Sequence, residues 1–273
     1  MSGGGGVRVA IVGAGPGDPE LLTLKAARWI AEAEDLLVDA LVPAAVYQRT
    51  SARIVYVGKR AGRRSVGQRQ IEQILVRLAK AGRKVVRLKG GDPCMFGRGG
   101  EEMRALEAAG VRYELVPGVS SALAAPAAAG IPVTDRGAAE GVTIVTGHRR
   151  ADHPEPVPVL PAYVAERTVV VLMGLGSLRQ LVEGALAIGY PTDLPAAVVS
   201  KATLPEQRTL AARLVELPGK VEAARLETPA TIVLGWVAAR AVEKTNCAAE
   251  AIAEEAAGLV PAGRSLARKA AVR

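Results

Sequence analysis

Aromatic side chains are nearly absent from this chain: two Trp, five Tyr and one Phe in 273 residues. A core must then be built from Ala, Val, Leu and Ile. The shortage argues against nucleic-acid modules that stack bases on aromatic platforms. Two cysteines, Cys94 and Cys247, make neither a disulfide scaffold nor a four-thiolate zinc site. His148 and His153 add too few ligands for a structural zinc, so no metal is expected. No uninterrupted apolar run approaches the roughly 20 residues of a membrane span. Residues 1–6 hold a glycine run rather than the apolar stretch of a secretory signal. A reducing cytoplasm is the expected location.

What the chain does have is a 49% apolar composition and a mean hydropathy of +0.21, enough for a sizeable core. Its net charge of +8 is unevenly spread, because residues 53–104 hold 14 basic and 4 acidic side chains. A concentrated positive field attracts anions. Composition alone nevertheless favours a merely basic, solvated surface.

Short β-branched runs alternate with helical patterns through the first half. Strands are expected at 7–12, 35–39, 54–57, 85–88 and 113–116, with helices at 21–33, 66–80 and 101–109. Ile71, Ile74, Leu75 and Leu78 fall on one helical face. A second series follows Pro117–Gly118: helices at 120–129 and 178–188, and strands at 142–145, 169–173, 196–199 and 231–234. The proline-rich stretch 152–161 reads as a loop. In the first half, alternating strands and helices predict a mainly parallel sheet covered on both faces. The expected class is α/β, with domains at 7–118 and 119–245 and a basic, Ala-rich tail at 246–273.

Three motifs stand at ends of predicted strands. Gly13-Ala14-Gly15-Pro16-Gly17-Asp18 lies between a strand and a helix, where backbone can approach a ligand closely. It is not the dinucleotide fingerprint, since Asp18 stands where glycine is required and Pro16 lacks an N–H. A tight turn capped by Asp18 explains it equally well. The second run, Leu88 to Glu102, is richer in glycine than a turn requires. Gly90 and Gly91 would let a ligand lie against the main chain, with Asp92 accepting from an ammonium or hydroxyl. The third, Val116 to Ala122, puts Ser120 and Ser121 at a helix start, as caps, ligand donors or both. For His148 alone, a structural or surface role is favoured.

Taken in order, Gly-Ala-Gly-Pro-Gly-Asp (13–18), Val-Gly-Lys-Arg (57–60), Arg-Leu-Lys-Gly-Gly-Asp-Pro (87–93), Phe-Gly-Arg-Gly-Gly-Glu-Glu (96–102), Val-Pro-Gly (116–118) and Gly-Ile-Pro (130–132) resemble the tetrapyrrole methylase family. The resemblance runs from about residue 7 to 237. It implies two α/β domains with the active site in the cleft between them, and a homodimer. It also implies methyl transfer from S-adenosylmethionine to C2 and C7 of uroporphyrinogen III, giving precorrin-2 by way of precorrin-1 and S-adenosylhomocysteine as by-product. Carried over by position, the cofactor contacts are Pro16, Gly90, Gly91, Asp92, Met95, Ser120, Ser121, Met173, Ala202 and Ala230. Asp39 and Lys59 match a proton acceptor and a proton donor. Val38 replaces a usual Tyr before Asp39, and Cys94 a usual Phe.

The implied chemistry suits these residues. The sulfonium methyl is already activated, so the protein aligns donor and acceptor and excludes water. A methylated pyrrole carbon must lose a proton, for which Asp39 is a fitting base; the alternative is a carboxylate that simply ends a strand. Lys59 serves equally as a binder of a substrate carboxylate. The implied substrate carries eight carboxylates, which Arg60, Arg63, Arg64 and Arg136 are suited to pair. Neither nucleic acid nor membrane is an expected partner. Alternatives are a sister methyltransferase acting on another corrinoid carbon, the diphthine- or ribosomal-RNA-modifying branch, and a non-catalytic basic nucleic-acid-binding protein.

Overall fold

The computed structural model describes residues 7–58, 66–148 and 160–241. The chain forms two five-stranded sheets, each with helices on its faces. The first contains β1 (Val9–Gly13), β2 (Asp35–Val38), β3 (Arg53–Tyr56), β4 (Val85–Lys89) and β5 (Tyr113–Val116), in the order β3-β2-β4-β1-β5. Every pairing in it is parallel. Its helices are α1 (Leu24–Glu32), α2 (Gln68–Lys80) and α3 (Gly99–Ala108).

The two-residue period of a strand decides which helix each side chain meets. On β1, Ala10 and Val12 face α1 with its Ala26, Trp29 and Ile30. Val9 and Ile11 face the other way, toward Ile71, Leu75 and Leu78 of α2 and Leu106 of α3. Leu75 and Leu106 are fully buried, each contributing about 1.5–3 kcal/mol. The expected helix over 21–33 begins only at Leu24, and a 3₁₀ turn, Pro19–Leu21, precedes it. Asp18 caps this turn by accepting from the Glu20 amide at 2.8 Å, and Thr23 then caps α1.

The chain passes from β1 to β2 in one direction along the sheet and from β4 to β5 in the other. So α1 covers one face and α2 and α3 the opposite one, and a crevice opens at the carboxyl ends of the adjacent β1 and β4.

After α4 (Ser121–Ala128) the second sheet assembles from β6 (Gly141–Thr146), β7 (Arg167–Leu172), β8 (Pro195–Ser200), β9 (Arg208–Arg213) and β10 (Ala230–Leu234), ordered β6-β7-β10-β8-β9. Its pairing differs from that of the first sheet. Only β6 and β7 are parallel, and the remaining three pairings are antiparallel. The physical reason is the short connection between β8 and β9, which leaves no room for a crossover helix and forces a hairpin. Helices α5 (Leu178–Ala187) and α6 (Leu217–Ala223) pack on one face, and α4 lies against β7 and β10. Among the described residues no helix is long and apolar enough to cross a membrane.

Candidate active site

A cavity of about 540 Å³ lies between the sheets. Residues following all five strands of the first sheet line it: Gly15 and Pro16 after β1, Asp39 after β2, Gly58 after β3, Gly90 and Gly91 after β4, and Ser121 after β5. The second sheet contributes Met173 after β7, Ala202 after β8 and Ala230 on β10. One junction between the sheets is a hydrogen bond of 3.2 Å from the Asp18 amide to Thr203 Oγ1.

Main chain meets main chain on the first side. The loops after β1 and β4 are joined by Gly91 N to Gly15 O at 2.7 Å and Gly15 N to Gly91 O at 3.2 Å. Gly15 and Gly91 take φ of 70° and 63°, the left-handed region where a side chain is strained. A Cβ on Gly13 would lie 2.5 Å from Gly118 N and 2.6 Å from Gly91 O. Gly13 and Gly118 therefore have no space for a side chain where the strand ends converge, and beside them Gly15, Gly90 and Gly91 line the cavity.

Asp92 fastens this arrangement. Its Oδ1 accepts from Cys94 N at 2.8 Å and its Oδ2 from Gly118 N at 3.2 Å. It does not line the cavity, so its carboxylate holds the cradle rather than reaching into it. Ser120 likewise acts as the N-cap of α4, accepting from Ala122 N at 3.3 Å, while its neighbour Ser121 lines the wall.

Backbone strain gathers here too. Phe96, Arg98 and Met173 on the cavity wall, and Lys201 and Thr203 beside Ala202, have φ between 49° and 65°. Such conformations cost roughly 1–3 kcal/mol each and persist where the surroundings impose them. Met173 is half exposed, as a contact residue would be and a core residue would not.

Asp39 stands at the carboxyl end of β2, its amide donating to Leu88 O at 3.1 Å, with its side chain 30% exposed on the cavity. Behind it lie groups that the motifs did not single out. Alternation along β4 turns Arg87 and Lys89 toward α3, where Glu102 receives both. Burial pushes the Lys89 ammonium below its ordinary value, with Arg87 adding to the effect. Burial also pushes the Cys94 thiol up, assisted by Asp92.

Of the expected site residues, the structure brings Pro16, Asp39, Gly90, Gly91, Met95, Ser121, Met173, Ala202 and Ala230 to one cavity. Arg136 is exposed on the connection between α4 and β6 and does not line it. Lys59, Arg60, Arg63 and Arg64 lie outside the described residues, as does the tail from residue 246. Arg98, which the sequence left unassigned, and His148, for which a structural or surface role was favoured, both line the cavity; Arg98 is the N-cap of α3 and is paired with Glu101 at 2.7 Å. Among the described residues no cluster of three or more His, Cys, Asp or Glu is placed to hold a metal.

Two α/β units with a ligand cleft at the strand ends define the class of protein. A model of the Tetrapyrrole (Corrin/Porphyrin) Methylases matches residues 8–218. The chain belongs to that family. It is 46% identical to the uroporphyrinogen-III C-methyltransferase of Pseudomonas aeruginosa over 231 residues, which cover 84% of this chain and 94% of that protein. It is also 46% identical to the chloroplastic S-adenosyl-L-methionine-dependent uroporphyrinogen III methyltransferase of Arabidopsis thaliana, covering 84% of this chain and 63% of the relative. The siroheme synthase 1 of Halorhodospira halophila is 44% identical, and the chain spans 47% of its length. The fold matches the crystal structure of the Thermus thermophilus uroporphyrin-III C-methyl transferase complexed with S-adenyl homocysteine. That match has a TM-score of 0.73 at 44% identity, over 84% of this chain and 98% of the other.

Proposed function

We propose that this chain methylates uroporphyrinogen III at C2 and C7, using S-adenosylmethionine and giving precorrin-2 by way of precorrin-1. The observation that carries the reading is the cavity wall at the strand ends of the first sheet, where the glycine cradle after β1 and β4 stands beside the Asp39 carboxylate after β2. The relatives at 44–46% identity support the choice of substrate.

The cradle fits an adenosyl amino acid. Gly90 and Gly91 let such a molecule lie against main chain, and a cavity of about 540 Å³ is within the ordinary range for a bound small molecule. Pro16, Met95, Ser121, Met173, Ala202 and Ala230 would complete its walls, with Asp92 and Ser120 holding the loops that carry it. When bound, S-adenosylmethionine supplies a methyl already activated by the sulfonium. The protein aligns the acceptor carbon and keeps water away, a contribution of about 7–11 kcal/mol in favourable cases. Asp39 then takes the proton released by the methylated ring. Lys59, Arg60, Arg63, Arg64 and Arg136 are read as partners of the substrate's carboxylates, Lys59 also as a proton donor.

The reading divides the chain into domains at 7–118 and 119–245 with a separate tail, a division supported by α4 packing on β7 and β10 of the second sheet. The family resemblance supports a homodimer, and the free Cys94 thiol suits the reducing cytoplasm. Anaerobic incubation with uroporphyrinogen III and S-adenosylmethionine, then mass spectrometry of the oxidised product, tests the activity. A gain of two methyl groups is expected, and recovery of unmodified substrate overturns the reading.

A further inference from the structure

Four charged side chains meet beneath the cavity floor. Arg87 and Lys89 are 1% and 2% exposed and Glu102 is fully buried, while Asp39 reaches from this group into the cavity. Arg87 donates from Nε to Glu102 Oε1 at 2.8 Å, and from Nη1 to Leu37 O and Leu88 O, both at 3.2 Å. Its remaining nitrogen, Nη2, donates to Asp39 Oδ1 at 2.5 Å. Lys89 Nζ hydrogen-bonds Glu102 Oε1 at 3.1 Å and lies equally close to Oε2, where the angle allows only an ionic contact.

Buried cations are costly without partners, and a core of aliphatic residues would pack this space more cheaply. Glu102 and two carbonyls fix the guanidinium plane through Nε and Nη1, and the plane so fixed aims one of the two N–H groups of Nη2 at Asp39. A planar fork fixed in this way is preorganised, as a flexible ammonium is not. Asp39 Oδ1 is thereby occupied. Oδ2 has no hydrogen bond among the described residues, and Lys89 Nζ lies 3.8 Å from it.

We infer that Arg87, oriented by Glu102, is a positioning residue that aims Asp39 Oδ2 at the methylated ring as the proton acceptor. The inference rests on the proposed role of Asp39. With both carboxylates ionised, the two cations are balanced by two anions. When the ring carbon gives its proton to Oδ2, the C–H electron pair stays with the ring and the cluster is left with one excess positive charge. That excess favours passing the proton on to water at the open cavity, which resets Asp39 for the second methylation.

A double-mutant cycle tests this, using single-turnover methyl transfer under anaerobic conditions and, separately, the Kd for S-adenosylhomocysteine. Asp39→Asn is expected to slow methyl transfer at least a hundredfold. Arg87→Lys is expected to slow it at least tenfold with Kd and KM within twofold of wild type, and to add less than twofold when combined with Asp39→Asn. Glu102→Gln, which keeps volume and an acceptor for Arg87 Nε, should slow it severalfold and serves if Arg87→Lys does not fold. If Asp39→Asn keeps wild-type turnover, the base reading falls and the positioning role with it. If Asp39→Asn is slow but folded Arg87→Lys or Glu102→Gln turns over within twofold of wild type, or the losses multiply in the double variant, the positioning role alone is overturned.

Discussion

Asp92 Oδ2 accepts a hydrogen bond from the Gly118 amide at 3.2 Å, tying the loop after β4 to the loop after β5. Its other oxygen holds Cys94 N. Hydrogen bonds to a charged group are each worth about 1.5–3 kcal/mol. Asp92→Ala removes both and is expected to weaken binding of S-adenosylhomocysteine by about tenfold or more, as 1.4 kcal/mol is a factor of ten. Asp92→Asn keeps one acceptor oxygen and should lose less. Isothermal titration of both variants checks the order, and equal affinity for wild type and Asp92→Ala would remove the stapling role.

The close approach of strand ends gives a second expectation. A Cβ on Gly118 would sit 2.3 Å from Gly91 O and 2.8 Å from Gly13 Cα, both backbone atoms that cannot step aside. Gly118→Ala should therefore cost about 1–3 kcal/mol or more from overpacking. Gly184, exposed inside α5 with nothing within 4 Å of an added Cβ, is the contrast. Gly184→Ala should stabilise by roughly 0.5–1 kcal/mol, because alanine is the better helix former. Urea unfolding of the pair reads both signs, and a neutral Gly118→Ala contradicts the packing argument.

Much of this cradle is legible in the sequence. β1 and β4 are apolar runs ending in glycines, and glycine clusters at strand ends already point to a backbone-lined ligand site. The turn of β8 into β9 is not legible. Residues 208–213 read Arg-Thr-Leu-Ala-Ala-Arg, with two alanines and no β-branched run, so only pairing with β8 makes them a strand. The Arg87–Glu102 pair is hidden for another reason. Both lie in recognisable motifs, but their meeting depends on which face of β4 is covered by α3, a matter of topology rather than local pattern. Arg136 is a further case in which topology sets position: its charge suits a polyanion, and its exposed loop lies outside the cavity lining.

The pH dependence of stability follows from carboxylates held by cations. Asp35 is fully buried; burial alone would raise its value, but hydrogen bonds from Arg83 and Arg53 at 2.7 and 2.6 Å outweigh that and hold it low. Glu216 is drawn from 4.5 down to about 2 by Arg213 and Lys220, and Glu114 is lowered by Lys25. A carboxyl group lower in the native than in the unfolded state stabilises above its unfolded value and loses this as pH falls. Stability is therefore expected to hold down to about pH 4.5 and to decline from there toward pH 2. Glu216 is exposed and screened by water, so Asp35 should dominate. Asp35→Asn should lower the urea midpoint at pH 7 and flatten its fall in acid. An unchanged acid slope in Asp35→Asn would assign the decline to other groups.

The excess of positive charge in residues 53–104 bears on substrate capture. The proposed substrate carries eight carboxylates, and several guanidinium groups around one polyanion raise its local concentration even where each pair alone is worth little. Replacing Arg63 and Arg64 together by Glu changes the charge by four units. The KM for the porphyrinogen is expected to rise about tenfold, corresponding to about 1.4 kcal/mol, while the Kd for S-adenosylhomocysteine stays within twofold. Salt should distinguish the cause, since exposed charges are screened over about 10 Å at 0.1 M ionic strength. Raising salt should therefore increase the wild-type KM and narrow its distance from the variant. Steady-state kinetics at two ionic strengths decides the matter: a KM that neither substitution nor salt moves would leave the basic segment without a part in capture.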